Sequence, residues 1–142
     1  MLPTTSLDLF AGIPVTSFIK ARKWYEKLLG SQPAFLPHET EAVWELAKHR
    51  YLYIMEEPEH AGHARLTVFV ADLHSLVAEI EGRGLVAATR DTYPNGVRKI
   101  SFRDADGNEI GFGGAASSRT RQHSRPSGRK GVSAQGARRR RR

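Results

Sequence analysis

The alternation of apolar and polar positions divides the first half of the chain into a strand, a helix and further strands. Residues 7–15 alternate and are rich in branched side chains, a pattern that predicts a β-strand. Apolar residues then recur at helical spacing after Thr16 and Ser17, which can cap a helix, and this pattern stops at Gly30. The predicted elements are a strand over 7–15, a helix over 18–29, a short strand near 34–36, and a hairpin of strands over 42–46 and 51–55.

The same order of elements recurs in the second half. Asp72 can cap a second helix, which the glycines at 82 and 84 would end. Residues 13–18 match residues 68–73 with an offset of 55 positions. Further strands are predicted over 66–70, 86–89, 97–102 and 109–112. The sequence therefore predicts an α+β fold of two tandem βαβββ modules, which form a curved mixed sheet with outer helices and an inner cleft.

The positive charge is concentrated at the end of the chain. The formal net charge is +7, but residues 115–142 alone contain nine Arg, one Lys and no acidic residue. The preceding residues hold 12 basic and 15 acidic side chains, which makes them slightly acidic. A Ser/Gly/Arg-rich segment buries too little apolar surface to offset the entropy of ordering. We therefore predict one domain over 1–114 and a disordered Arg-rich tail over 115–142.

Several classes of protein are excluded by composition. The chain has no cysteine, so disulfides, thiolate metal sites and cysteine nucleophiles are absent. No segment approaches the roughly 18 consecutive apolar residues that a membrane span requires. The first residues lack the basic and apolar regions of a signal peptide. We expect a cytoplasmic protein that makes no contact with membranes.

Two stretches of sequence resemble those of a known family. Residues 12–30 carry an adjacent Trp24-Tyr25 pair and end in Leu29-Gly30, and Asp104-Ala-Asp-Gly-Asn108 precedes the last predicted strand. These stretches are similar to the first helix and the last turn of the vicinal oxygen chelate superfamily. That superfamily contains glyoxalases, bleomycin-resistance proteins and extradiol dioxygenases. The resemblance covers about residues 7–114 and implies their two-module fold.

The resemblance also implies where a metal would be bound. Enzymes of this family hold a divalent cation with inward-facing residues from the first and last strands of each module. The corresponding positions here are Phe10, Tyr53, Arg65 and Gly111. These side chains cannot supply three or more nitrogen or oxygen ligands, and an arginine would repel a cation. We therefore expect neither a metal nor another cofactor.

The period of two along the predicted strands indicates which side chains face the cleft. Arg65 could pair with a carboxylate or phosphate of a ligand, or with Glu109 or Glu45 across the sheet. Gly12 and Met55 are expected beside the candidate ligand-binding residues. These candidates are Phe10, Tyr51, Tyr53, Arg65, Thr67, Phe69, Lys99, Ser101, Glu109 and Gly111. Their aromatic, hydroxyl and cationic groups suit an aromatic or anionic small molecule.

Three functions remain open at this point. The resemblance implies a metal-free protein that sequesters a small molecule at a homodimer interface, as bleomycin-resistance proteins do. The alternative is a lyase, isomerase or dioxygenase with a non-standard site, in which Glu109 works with Tyr53 or Lys99. The third is non-specific binding of nucleic acid by the basic tail. Whether the two modules close within one chain or pair between partners is also open.

Overall fold

Two four-stranded sheets, each with one helix, make up the structure, a computed structural model that describes residues 1–3, 5 and 7–115. The first module consists of β1 (Leu9–Val15), α1 (Phe18–Leu29), β2 (Phe35–His38), β3 (Glu41–Ala47) and β4 (Arg50–Glu56). The second module consists of β5 (Arg65–Phe69), α2 (Leu73–Gly82), β6 (Thr89–Thr92), β7 (Arg98–Arg103) and β8 (Glu109–Gly114). The predicted α+β fold of two tandem βαβββ modules is confirmed. The predicted tail, except for its first residue, lies outside the described residues.

The strand order is the same in the two modules. It runs β1-β4-β3-β2 in the first sheet and β5-β8-β7-β6 in the second. The first and last strands of each module are parallel, and the other neighbours are antiparallel. Ala11 faces Leu52 in the first sheet, and Leu66, 55 residues after Ala11, faces Ile110 in the second. The internal repeat is therefore confirmed at the level of strand register.

Both helices begin at the caps that the sequence predicts. The Ser17 side chain accepts a hydrogen bond from the backbone N–H of Lys20. The Asp72 carboxylate likewise accepts one from the N–H of Ser75. Helix α1 ends at Gly30, whose φ of 77° lies in the left-handed region that glycine adopts readily. Within the described part of the chain, neither helix combines the length and apolar character that crossing a bilayer requires.

One strand lies further along the chain than the sequence predicts. Residues 86–89 suggest a strand, but Val86 is 84% exposed and β6 runs over Thr89–Thr92. The register of β6 comes from its hairpin with β7, in which Thr89 faces Ser101. Pairing with a neighbouring strand therefore outweighs the local preference of the branched residues.

The two helices lie between the two sheets and share one hydrophobic core with them. A hollow of about 160 Å³ in this core is lined by Leu52 of β4, Ile110 of β8, and Leu28 and Leu76 of the helices. Strands β4 and β8 lie in the interior of their sheets, so they can line one hollow only if the helix-covered faces of the sheets oppose each other. The helices thus lie between the two sheets rather than outside them. The opposite face of each sheet, which we call its cleft face, points away from the core instead of lining an inner cleft of the same chain.

A buried hydrogen bond joins the first helix to the second module. The Tyr25 hydroxyl donates to Asp104 Oδ2 across 2.8 Å, and both residues are buried. Burial, followed by the negative charges of Asp104 and Asp106, raises the pKa of the Tyr25 phenol far above its usual value. The other Asp104 oxygen accepts the backbone N–H groups of Asp106 and Asn108. The phenol therefore stays protonated, as a donor to a carboxylate must.

Asn108 completes this network and is fully buried. Its amide oxygen accepts the N–H groups of Gly62 and Ala64, in the connection between the modules. Its amide nitrogen donates to the carbonyl of Pro14 on β1 and to Asp104 Oδ2, each across 2.9 Å. Because a buried polar group is costly when it lacks partners, a full set of bonds stabilises this arrangement. The network holds β1, the connection and the β7–β8 turn together.

Replacing Tyr25 by Phe tests the contribution of this network. The ring packing is kept, but buried Asp104 loses one donor, so we expect the free energy of unfolding to fall by about 2 kcal/mol. Urea unfolding followed by circular dichroism measures the change. The matched control is Tyr93→Phe at a tyrosine that is 43% exposed. Equal losses in the two variants would contradict the assigned role of the buried hydroxyl.

Candidate functional site

Three aromatic rings lie together on the cleft face of the first sheet. Phe10 of β1 stacks on Tyr51 of β4, with ring centroids 4.4 Å apart and planes inclined by 11°. Tyr53 meets Phe10 edge-on at 6.4 Å. We call Phe10, Tyr51 and Tyr53 the aromatic cluster. Because Phe10 is 47% exposed, the cluster presents a ring to whatever approaches this face.

Glycines allow large side chains to lie flat on both cleft faces. A Cβ atom at Gly12 would lie 2.5 Å from Cζ and Oη of Tyr53, so the tyrosine ring covers the glycine. In the second module, a Cβ atom at Gly113 would lie 2.7 Å from Cε1 of Phe69. Real Cβ contacts are not this short, so both rings occupy space that only glycine leaves free. The predicted site residues Tyr53 and Phe69 therefore form parts of the surface of their sheets.

Carboxylates border the aromatic cluster. Glu45 of β3 faces Tyr51 directly in the strand ladder. Partial desolvation, followed by the negative charges of Glu45 and Asp8, raises the pKa of the Tyr51 phenol. Glu41, further along β3, forms an ion pair of 2.9 Å with His38. The cleft face of the first sheet is therefore aromatic with an acidic border.

The cleft face of the second sheet carries a cluster of cations around one carboxylate. Arg65 Nη2 and Lys99 Nζ each lie 3.7 Å from Glu109 Oε2. Arg103 Nη2 lies 3.3 Å from Oε1 of the same residue. We call these four residues the cationic cluster, which has three positive charges and one negative charge. Of the two partners considered for Arg65 within the sheet, the structure places Glu109 beside it rather than Glu45.

Two hydroxyl groups converge beside the cationic cluster. A Cβ atom at Gly111 would lie 3.2 Å from Ser101 Oγ and 3.5 Å from Thr67 Oγ1. It would lie 2.6 Å from Cε of Lys99, whose side chain crosses the glycine. Ser101 is only 1% exposed, and its hydroxyl has no hydrogen-bond partner within the described part of the chain. Gly111 thus lies beneath two hydroxyl groups and a lysine.

The structure separates the predicted ligand-binding residues into two groups. Those on the first sheet are Phe10, Tyr51 and Tyr53, and those on the second are Arg65, Thr67, Phe69, Lys99, Ser101, Glu109 and Gly111. Between the described residues of the two groups there is no hydrogen bond, ion pair or ring contact. Because the helix-covered faces of the sheets oppose each other, the two groups lie on opposite sides of the chain.

Two further residues, Arg103 and Phe35, contribute to these faces and were not predicted from the sequence. Arg103 follows Lys99 and Ser101 at the same spacing of two, so extending the predicted strand by one residue would have found it. Phe35 faces Val43 of β3 and is 47% exposed. Its strand β2 has four residues, which is too short for a clear alternating pattern.

The four positions at which the family resemblance implies metal ligands do not suit a divalent cation. Among Phe10, Tyr53, Arg65 and Gly111, only Tyr53 has an oxygen in its side chain. Arg65 carries a positive charge, and the side chain of Lys99 covers Gly111. Among residues 1–3, 5 and 7–115, no group of three or more histidine or acidic side chains could hold a metal ion. A guanidinium and a phenol hydroxyl, the polar groups at these four positions, suit an anion better than a divalent cation.

Replacing Glu109 by Gln would leave the three cations of the cluster without a counter-ion. We expect the free energy of unfolding to fall by about 1 kcal/mol at low salt, because like charges then repel one another. The loss should shrink at high salt, which screens charges at a partly exposed site. Urea unfolding at two salt concentrations measures both effects. Glu81→Gln, which removes a surface partner of Arg90, is the matched control, and an equal salt dependence there would contradict the prediction.

Comparison with known proteins gives a consistent result. A family model described as Glyoxalase/Bleomycin resistance protein/Dioxygenase superfamily matches residues 6–112. The crystal structure of a glyoxalase/bleomycin resistance protein from Catenulispora acidiphila is 54% identical, with a TM-score of 0.75. That match covers 78% of this chain and 99% of the other. A search of curated proteins finds no significant match.

More distant structures share the fold alone. Lactoylglutathione lyase from Agrobacterium tumefaciens is 13% identical with a TM-score of 0.65, over 80% of this chain and 96% of its own. TnmS3, an antibiotic binding protein from a Streptomyces species, is 23% identical with a TM-score of 0.61, over 81% of this chain and all of its own. The strand order, the internal repeat and the family match lead to one conclusion: the chain belongs to the glyoxalase/bleomycin resistance protein/dioxygenase superfamily.

Proposed function

We propose that this protein binds an aromatic anion without a metal, in clefts that form between the two copies of a homodimer. The observation that carries the proposal is the position of the aromatic and cationic clusters on opposite sides of one chain. Each cleft face is open in the isolated chain, and each supplies half of the groups that an aromatic anion requires. A two-fold axis that brings the aromatic face of one copy onto the cationic face of the other creates two equivalent clefts.

Charge favours this pairing over the alternatives. The aromatic cluster is bordered by Glu45 and Asp8, whereas the facing cluster has an excess of positive charge. Opposite potentials attract across an interface, and two copies of the same face repel each other. The pairing of unlike faces is therefore the favoured one. Exposed apolar side chains such as Phe10 and Phe69 would lose contact with water in the process.

The aromatic face of one copy and the cationic face of the other together indicate the chemical class of the ligand. A planar ring can stack on Phe10, which already stacks on Tyr51. Carboxylate, sulfonate or phosphate groups can accept hydrogen bonds from Arg65 in the forked geometry of a guanidinium. TnmS3 has the same fold and is an antibiotic binding protein, so the fold is compatible with sequestering a small molecule. The poor fit to a divalent cation favours binding over metal-dependent chemistry.

Mixed dimers test whether each cleft uses both copies. One variant carries Phe10→Ala and Tyr53→Ala in the aromatic cluster, and the other carries Arg65→Ala and Lys99→Met in the cationic cluster. A dimer of one copy of each should have one intact cleft, because its two unaltered faces meet. Calorimetric titration with 1-naphthoate should then find one site of wild-type affinity per mixed dimer. Dimers of either variant alone should bind at least about tenfold more weakly.

The same experiment has outcomes that contradict the proposal. If each cleft were built within one chain, the mixed dimer would contain no intact cleft and would bind as weakly as its parents. Light scattering of the wild-type protein should give twice the chain mass of 15.8 kDa. A monomer at micromolar concentration would also overturn the proposed arrangement. The altered side chains lie on the faces proposed to meet in the dimer, so light scattering of each variant checks that it is still a dimer at the concentration of the titration.

A further inference from the structure

We infer that the space above Gly111 is a subsite for a doubly charged oxyanion, the phosphate group of an aromatic phosphate monoester. This inference rests on the proposed function, because the subsite would hold the charged end of the ligand in the cleft. Its components are the hydroxyl groups of Ser101 and Thr67 and the cations Lys99 and Arg65. Three observations support it: an unpartnered buried hydroxyl, a position above Gly111 that only a flexible lysine side chain occupies, and the charge of the surrounding cluster.

The first observation is the Ser101 hydroxyl. Ser101 is 1% exposed, and no described residue forms a hydrogen bond with its Oγ. A buried hydroxyl without a partner costs free energy, and native structures usually satisfy such groups. Ser101 Oγ lies 3.2 Å, and Thr67 Oγ1 3.5 Å, from the same point above Gly111. Once the Lys99 side chain has moved aside, an oxygen atom of a ligand near that point would give both hydroxyls an acceptor.

The second observation is what occupies the space above Gly111. A Cβ atom at position 111 would lie 2.6 Å from Lys99 Cε, so the glycine makes room for the end of a lysine side chain rather than for a rigid group. The Lys99 side chain now covers the glycine, but it is unbranched and flexible. Its ammonium group can turn toward an anion while the stem moves aside. The lysine thus covers the subsite in the free protein and would contact the oxyanion when one is bound.

The third observation is the balance of charge. Arg65, Lys99 and Arg103 all lie within ion-pair distance of Glu109, which leaves an excess of two positive charges in the cationic cluster. Asp91 faces Lys99 in the ladder of β6 and β7 without forming an ion pair with it, so it offsets this excess only in part. A phosphate monoester carries close to two negative charges above its second pKa of about 6. A carboxylate would neutralise only half of the excess. The arginine fork and the two hydroxyls also match the several acceptor oxygens of a phosphate better than the two of a carboxylate.

Calorimetric titration of the full chain with four probes tests the subsite at constant ionic strength. The probes are phenyl phosphate, benzoate, benzyl alcohol and inorganic phosphate. Phenyl phosphate should bind at least about tenfold more tightly than benzoate and benzyl alcohol. Ser101→Ala and the isosteric Thr67→Val should each weaken phenyl phosphate by about tenfold and leave benzyl alcohol unchanged. Glu109→Gln should tighten phenyl phosphate, because it raises the positive excess.

A matched control separates the subsite from general charge effects. Lys48→Met removes a lysine from the β3–β4 turn of the first module and should leave all affinities unchanged. Gly111→Ala is a further test, which should weaken phosphate binding because the added methyl group takes the position proposed for the oxyanion. Thermal unfolding of each variant checks that it is folded at the temperature of the titration.

The outcomes distinguish this inference from the proposed function. If benzoate binds as tightly as phenyl phosphate, or if Ser101→Ala has no effect, the phosphate subsite is wrong although an aromatic cleft remains. If no aromatic probe binds but inorganic phosphate does so in a Ser101-dependent way, the subsite stands and the proposed function fails. If none of the four probes binds, both are wrong.

Discussion

The buried contact between Tyr25, Asp104 and Asn108 is the constraint on which the arrangement of the two modules depends. Asp104 and Asn108 belong to a turn of the second module, yet their bonds reach the first helix and the first strand. A carboxylate and an amide buried at a junction are stable only with all of their partners in place. Any relative movement of the modules would break several of these bonds at once. The core between the sheets is thereby held in one geometry.

This geometry directs both cleft faces away from the core, so the two clusters lie apart on one chain. Among the described residues, no ion pair or ring contact joins the aromatic cluster to the cationic cluster. Within a chain, the two modules therefore have the same strand order but carry different side chains on their cleft faces. Equivalent strands supply Phe10 in the first module and Arg65 in the second. The two modules share one fold, but the first carries the aromatic rings and the second carries the cations.

Periodicity along the sequence predicted both helices, most of the strands and which faces of the strands are buried. Both helix caps and the alternation of Arg65, Thr67 and Phe69 follow from local rules. The position of β6 did not follow, because its pairing with β7 decided where it begins. The separation of the two clusters could not be predicted either. A period of two along a strand indicates which side chains share a face of the sheet. How the two sheets are oriented depends on long-range contacts, such as the hydrogen bond between Tyr25 and Asp104.

The glycines beneath Tyr53 and Phe69 have a consequence for how such a surface can change. Each ring rests at the level of the backbone because a single hydrogen atom stands where another residue has a methyl group. The height of each ring above its sheet is therefore set by the glycine beneath it, Gly12 or Gly113, and not by the ring itself. One added carbon at such a position would lift a whole ring into the opening. A family that keeps its backbone constant could in this way accept ligands of very different thickness.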